Sequence, residues 1–153
     1  MKIKKVSAFI QARLRSTRLP EKVLKKINGT EAIVFMINRL KKCKKINDIF
    51  ILIPNNKSDD RLYNFLKKKG YNIFRGSENN VLKRYFDCAK KNNKNHILRL
   101  TSDCPFIDPN TIDNIINIYQ KGNYDYVSNI IQRSFPDGMD AEVFNFKSLK
   151  FAK

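Results

Sequence analysis

Asp48 to Ile53, DIFILI, is an unbroken apolar run behind a single aspartate, and Pro54 closes it. A run this short and this rich in isoleucine suits a strand covered on both faces, the kind found in parallel sheets sandwiched by helices. Its neighbours fit that frame. Lys5 to Gln11, Tyr71 to Arg75 and His96 to Leu100 read as further strands. Between them lie segments of helical period: Thr30 to Lys45 with Ile33, Ile37 and Leu40, a segment from a Ser58 or Asp59 cap to Lys69 with Leu62, Phe65 and Leu66, and Asn79 to Asn92 with Val81, Leu82, Tyr85 and Ala89 as its buried stripe. Asn28-Gly29 marks the turn before the first of these helices, Gly70 stops the second, and Pro109 to Gln120 begins with proline in its first turn. Strand alternating with helix implies right-handed crossovers and a mostly parallel sheet. Tyr124 to Ser128 and Ala141 to Phe146 add two strands, with Pro136-Asp137-Gly138 turning the chain between them.

At 153 residues and 42% hydrophobic content the chain is expected to form one domain, 1–153, with a substantial core. No apolar run approaches the roughly 20 residues of a membrane span. The basic start MKIKK followed by a short apolar stretch resembles a signal peptide, but Gln11 and Arg13 cut the stretch short, so a cytoplasmic protein is expected. A formal charge of +17 points towards nucleic acid or an anionic surface. The lysines are scattered, however. Lys41, Lys42, Lys44, Lys45 and Lys67 to Lys69 fall at the ends of expected helices, where cations suit the dipole, and base-stacking aromatics are not interleaved with them. Weak, salt-sensitive polyanion binding is the most this pattern supports. Cys43, Cys88 and Cys104 are an odd, widely spaced set and read as reduced thiols, while His96, the single histidine, removes histidine-rich metal sites and most catalytic triads.

In open α/β sheets ligands lie beyond the carboxyl ends of the strands. There the first strand delivers Arg13, Arg15, Arg18 and Lys22, the third Arg75-Gly76-Ser77, the fourth Asp103, and the late turn Asp137, Asp140 and Glu142. Guanidinium forks and a lysine ammonium suit the oxygens of a nucleoside triphosphate. At an effective dielectric near 20, a cation about 4 Å from a phosphate charge gains about 4 kcal/mol before desolvation and entropy are subtracted. Cations for phosphate and carboxylates for a metal on one rim is the composition needed for magnesium-assisted phosphoryl or nucleotidyl transfer. The plainer readings are a solvated basic loop and aspartates that cap helices, as Asp108 before Pro109 is expected to do.

Four ordered segments, QARLRSTRLPEKVL, FRGSENNVLKRY, RLTSDCPFIDP and FPDGMDAEVF, resemble the spore-coat polysaccharide biosynthesis cytidylyltransferases, relatives of the CMP-KDO and acylneuraminate synthetases. The resemblance runs over nearly the whole chain. It implies a three-layer α/β/α, Rossmann-like nucleotide-diphospho-sugar transferase fold and the transfer of CMP from CTP to a sugar acid or related sugar with release of pyrophosphate. By the same resemblance Arg13, Ser16, Thr17, Arg18 and Lys22 would bind the triphosphate, Asp103 would hold Mg2+, and Arg75, Gly76, Ser77 and Arg84 would lie at the nucleotide. Asp140 and Glu142 would face the acceptor or a second metal.

Arg15 and Glu21 stand where many members of that family have glycine. Relatives also continue past residue 153, so the chain is expected to lack their C-terminal portion, with an aspartate motif and much of a homodimer contact. Leu149 and Phe151 are expected to be exposed at that end. Two other functions stay open: a glycosyltransferase of the same fold, and a non-catalytic nucleotide- or polyanion-binding relative.

Overall fold

A computed structural model describes residues 5–132 and 135–153. Its elements run β1 (Val6–Gln11), β2 (Lys26–Ile27), β3 (Thr30–Glu31), α1 (Ala32–Leu40), β4 (Ile46–Pro54), α2 (Asp60–Lys68), β5 (Asn72–Gly76), α3 (Val81–Lys91), β6 (His96–Thr101), α4 (Pro109–Lys121), β7 (Tyr126–Ser128), β8 (Glu142–Asn145) and α5 (Phe146–Ala152). The main sheet has the order β5-β4-β1-β6-β8-β7. β5, β4, β1 and β6 are parallel, β8 pairs antiparallel with β6, and β7 antiparallel with β8.

Side chains of successive strand residues point to opposite faces, and this alternation divides the interior in two. Val6, Ala8 and Ile10 of β1 join Ile51, Ile53, Leu98 and Leu100 in a core covered by α1, α2 and α4. Phe9, Leu52 and Ile97 face the other way, against Tyr85, Phe86 and Ala89 of α3 and Leu149 of α5. The architecture is therefore three-layered, α/β/α, as expected. Ile10, Ile37, Leu52 and Leu62 are among the large side chains with almost no exposure, each contributing about 1.5–3 kcal/mol through burial.

Several local expectations need correction. Asn28 and Gly29 both have positive φ, 46° and 80°, and form the two-residue turn of a small hairpin joining β2 and β3, so α1 starts only at Ala32. It also ends at Leu40, leaving Lys41 to Lys45 in the following turn rather than in the helix. Asp59 does not cap α2 with its side chain; Asn56 accepts the Asp59 N–H at 3.0 Å instead. On α3, Val81 and Leu82 are 38% and 36% exposed, and Arg84 and Phe86 take their place in the buried stripe. Leu149 is buried, because α5 packs back on α3 with Phe146 stacked on Phe86 at 5.2 Å; Phe151 alone of the expected pair is exposed. Lys41, Lys67 and Lys69 lie 5.0–5.6 Å over the Tyr71, Tyr63 and Phe65 rings, cation–π contacts made within the chain.

The chain moves outward from β1 to β4 and β5, then crosses back to place β6 on the other side of β1. That reversal opens a crevice above the carboxyl end of β1.

Candidate functional site

The crevice is a cleft of about 330 Å³. β1 and its loop contribute Gln11, Ala12, Arg13, Arg15 to Arg18 and Lys22, the end of β4 contributes Pro54 and Asn56, and β6 contributes Thr101, Ser102 and Asp103. Asp59, Glu78, Val81 and Arg84 close the remaining side. Beyond β1 the chain alternates: Ala12 and Leu14 are buried, Arg13 and Arg15 exposed. Ala12 donates its N–H to the Leu52 carbonyl at 3.0 Å, and Leu14 donates to Asp59 Oδ1 at 2.7 Å. The apolar side chains thus pin the loop while its arginines stay at the opening.

Glu21 shows why glycine suits its position, since its backbone is left-handed at φ 54°, ψ 24°. A residue with a Cβ costs about 1–2 kcal/mol there. Its carboxylate is held by Arg61 Nη1 at 2.5 and 2.6 Å, a surface contact that offsets little of that cost.

Lys22 Nζ and Asp103 Oδ2 meet at 2.9 Å across the cleft. Burial pushes the Asp103 carboxyl up, but hydrogen bonds from Lys22 and Thr101 and the Lys22 charge outweigh it and hold the group below its ordinary value. Asp103 thus stays an anion close to the loop cations. Among the described residues no group of three or more His, Cys, Asp and Glu side chains is placed to hold a metal. A single carboxylate beside a loop of arginines and a lysine suits magnesium, which uses one or two protein carboxylates and fills its remaining positions with other oxygens and water.

Arg84 is only 4% exposed, and it makes no ion pair within 4 Å among the described residues. Its Nε is buried without a hydrogen-bond partner. Burial pulls its guanidinium down, while Tyr85, Asp59 and Glu78 push it up and Arg13 opposes them. An arginine keeps its charge even so. Gly76 makes room for it: a Cβ there would fall 2.9 Å from both Arg84 Cγ and the Phe74 ring.

The other expected residues lie further out. Arg75 is engaged by Asp60 at 2.6 Å and the Asn56 carbonyl at 2.6 Å, and it packs on Tyr63. Ser77 accepts the Asn80 N–H at 3.1 Å, which shapes the entry to α3. Glu142 pairs with Arg99, because the β6–β8 register sets it opposite that residue, two positions before Thr101 and below the rim. The charge of Asp140 is felt at the Cys104 thiol, next to Asp103, but Asp140 does not line the cleft. Burial raises all three thiols, Cys43 and Cys88 to about 12, so none is primed as a nucleophile.

Gln11 and Asp59 were not singled out as site residues by sequence reasoning. Gln11 Oε1 is buried in the cleft lining without a hydrogen-bond partner, and its one sequence signal was a polar side chain ending an apolar strand. Asp59 belongs to an Asp-Asp pair that reads as a helix cap.

The chain is 39% identical to a cytidylyltransferase from Leptospira borgpetersenii serovar Hardjo-bovis, superposing with a TM-score of 0.89 over 96% of this chain and 63% of that one. It is 34% identical to the spore coat polysaccharide biosynthesis protein SpsF of Bacillus subtilis over 90% of this chain and 58% of that protein. CMP:2-keto-3-deoxy-manno-octonic acid synthetase complexed with CTP shares the fold, with a TM-score of 0.72 at 14% identity over 97% of this chain and 77% of that one. The chain spans about 60% of the length of the curated relatives it matches at this level. The cytidylyltransferase family model matches residues 7–153, and the chain belongs to that family.

Proposed function

We propose that the cleft binds CTP and that the chain serves the transfer of CMP to a sugar hydroxyl, with release of pyrophosphate, in the synthesis of a surface polysaccharide. Arg84 is the observation that carries this reading. A buried cation with no ion pair within 4 Å, helped only by the more distant Asp59 and Glu78 charges, costs free energy unless an anion meets it, and Arg84 lines a cleft already ringed by arginines. Arg13, Arg18 and Lys22, with the Ser16 and Thr17 hydroxyls, hold the β- and γ-phosphates. Their fixed charge stabilises the departing pyrophosphate without a covalent intermediate.

Asp103 would hold magnesium together with the phosphates, and the bound ion would supply charge neutralisation at the reacting phosphoryl group. Lys22 leaves Asp103 for a phosphate oxygen as nucleotide enters, so the ion pair keeps both groups at the rim beforehand. Gly76 serves the nucleotide through Arg84, and Asp140 is assigned to the acceptor side. Arg75 and Ser77 support the cleft wall from outside it, and Glu142 serves the sheet through Arg99 rather than the nucleotide.

Calorimetric titration with CTP, ATP, GTP and UTP, each with and without magnesium, tests the binding. Selective uptake of CTP is expected; equal binding of all four that salt erases would replace this reading with that of a polyanion binder. A pyrophosphate-release assay with CTP and a panel of ulosonic and other sugars then tests the chemistry. Release that needs both substrates supports transfer, whereas a glycosyltransferase acting on a nucleotide sugar frees no pyrophosphate.

A further inference from the structure

Asp59 presents an electrostatic contradiction. The residue is 1% exposed and lines a cleft in which Arg13, Arg15, Arg18, Lys22 and Arg84 outnumber the acids Asp59, Glu78 and Asp103, and a negative charge there repels phosphate. A cap would not require it, because Asn56 takes that role for the preceding turn. What Asp59 does hold is the Leu14 N–H, at 2.7 Å and across 45 positions of sequence. Leu14 is the buried residue between Arg13 and Arg15, so its backbone sets the height at which both arginines stand. On the other side, Asp59 is a stabilising charge for Arg84, whose burial opposes its own ionisation.

Resting on CTP binding in this cleft, we propose that Asp59 is a positioning residue: through Leu14 its carboxylate sets the phosphate-binding loop against the Arg84 wall. Its hydrogen bond to the loop outweighs its repulsion of phosphate. A buried acceptor that loses its donor, or a donor that loses its acceptor, is left unsatisfied, so the loop cannot move freely away from Asp59. A charged acceptor also makes the stronger bond.

Two substitutions separate position from charge. Asp59→Asn retains an oxygen able to accept the Leu14 N–H and removes the negative charge; Asp59→Ala removes both. CTP affinity by calorimetry and hydrogen exchange at the Leu14 amide are measured in each folded protein. The expected result is at least a tenfold loss of CTP affinity and faster Leu14 exchange in Asp59→Ala, with Asp59→Asn within about threefold of wild type in both. Wild-type CTP affinity in Asp59→Ala overturns the inference alone, as does equal loss in the two variants. If Asp59→Ala does not fold, Asp59→Asn decides: affinity within threefold and a protected Leu14 amide support positioning, and a tenfold loss overturns it. A wild-type chain that binds neither CTP nor inorganic tripolyphosphate removes the binding reading, and the inference with it.

Discussion

Along β5, β4, β1 and β6 the strands run parallel and finish at one level, where β4, β1 and β6 open onto the cleft, whereas β8 reverses direction beside β6 and leaves β7 as the edge. The parallel side has helices on both faces and buries Phe9, Ile10, Leu52 and Ile53 almost completely. Near the antiparallel edge, Tyr124, Tyr126 and Ile131 are 54%, 44% and 79% exposed. Charged residues follow the same division. On the parallel side Arg13, Lys22, Arg84 and Asp103 line one cleft, while at the edge Glu142 is spent on Arg99 within the sheet. The charged residues beyond β1 and β6, which flank the reversal point, line the cleft, while Glu142 at the start of β8 pairs within the sheet.

The largest expected effect lies deepest in the parallel side. Arg84→Met keeps much of the apolar stem and removes the buried cation, and CTP affinity should fall about a hundredfold, about 2.7 kcal/mol. Titration calorimetry beside a thermal melt checks it. Thermal melting should stay cooperative in the variant, so lost affinity in a folded protein separates binding from folding. Unchanged affinity would take the wall opposite the loop out of the site. Next in size are Lys22→Ala and Arg18→Ala, each expected to weaken CTP binding at least tenfold, about 1.4 kcal/mol. These side chains stand at the more open end, where water screens part of the interaction.

The parallel side was also the more legible from sequence. DIFILI and the other buried strands carry their environment in an unbroken apolar run, and helices of amphipathic period between them leave few topologies. The loop arginines and Asp103 were legible because position after a strand is enough to place them at the rim. Asp59 was not, since its partner is a backbone N–H 45 residues away and its composition signal is that of a cap. Gly76 reads only as one of the Arg75-Gly76-Ser77 group after the third strand, and the packing of Arg84 and Phe74 against it shows the constraint. Leu149 was misread for a similar reason: a short terminal helix looks exposed until its contact with α3 is known. Glu142 needed register, a property of strand pairing that local composition does not specify.

Asp103→Asn comes third. It should abolish the magnesium-dependent part of CTP affinity, about fivefold or about 1 kcal/mol, while binding measured without magnesium stays near wild type. Superimposable magnesium titrations of the two proteins would remove the metal assignment. The same residue predicts a small pH effect. Its folded pKa is held below the ordinary 3.8, so the Lys22 pair contributes fully above that value and its contribution fades as pH falls through the lowered folded value. With side chains 30% and 44% exposed, the pair is worth well under about 1 kcal/mol. Acid melts of wild type and Asp103→Asn should therefore converge below that range.

The smallest expected effect on nucleotide belongs to the edge. Glu142→Gln removes the charge that engages Arg99 between β6 and β8, and CTP affinity should stay within about twofold of wild type, under about 0.4 kcal/mol. The consequence should appear in folding. Arg99 and Glu142 retain 33% and 15% of their side-chain exposure, so losing the pair should destabilise by at most about 1 kcal/mol, read as a lower denaturation midpoint with an unchanged slope. A tenfold loss of CTP affinity would break the comparison between the two sides of the sheet. It would mean that the charge of Glu142 reaches the cleft through Arg99 and β6, two residues below Thr101, and that the edge belongs to the site. An unchanged affinity with a lowered midpoint would leave the nucleotide entirely to the parallel strands.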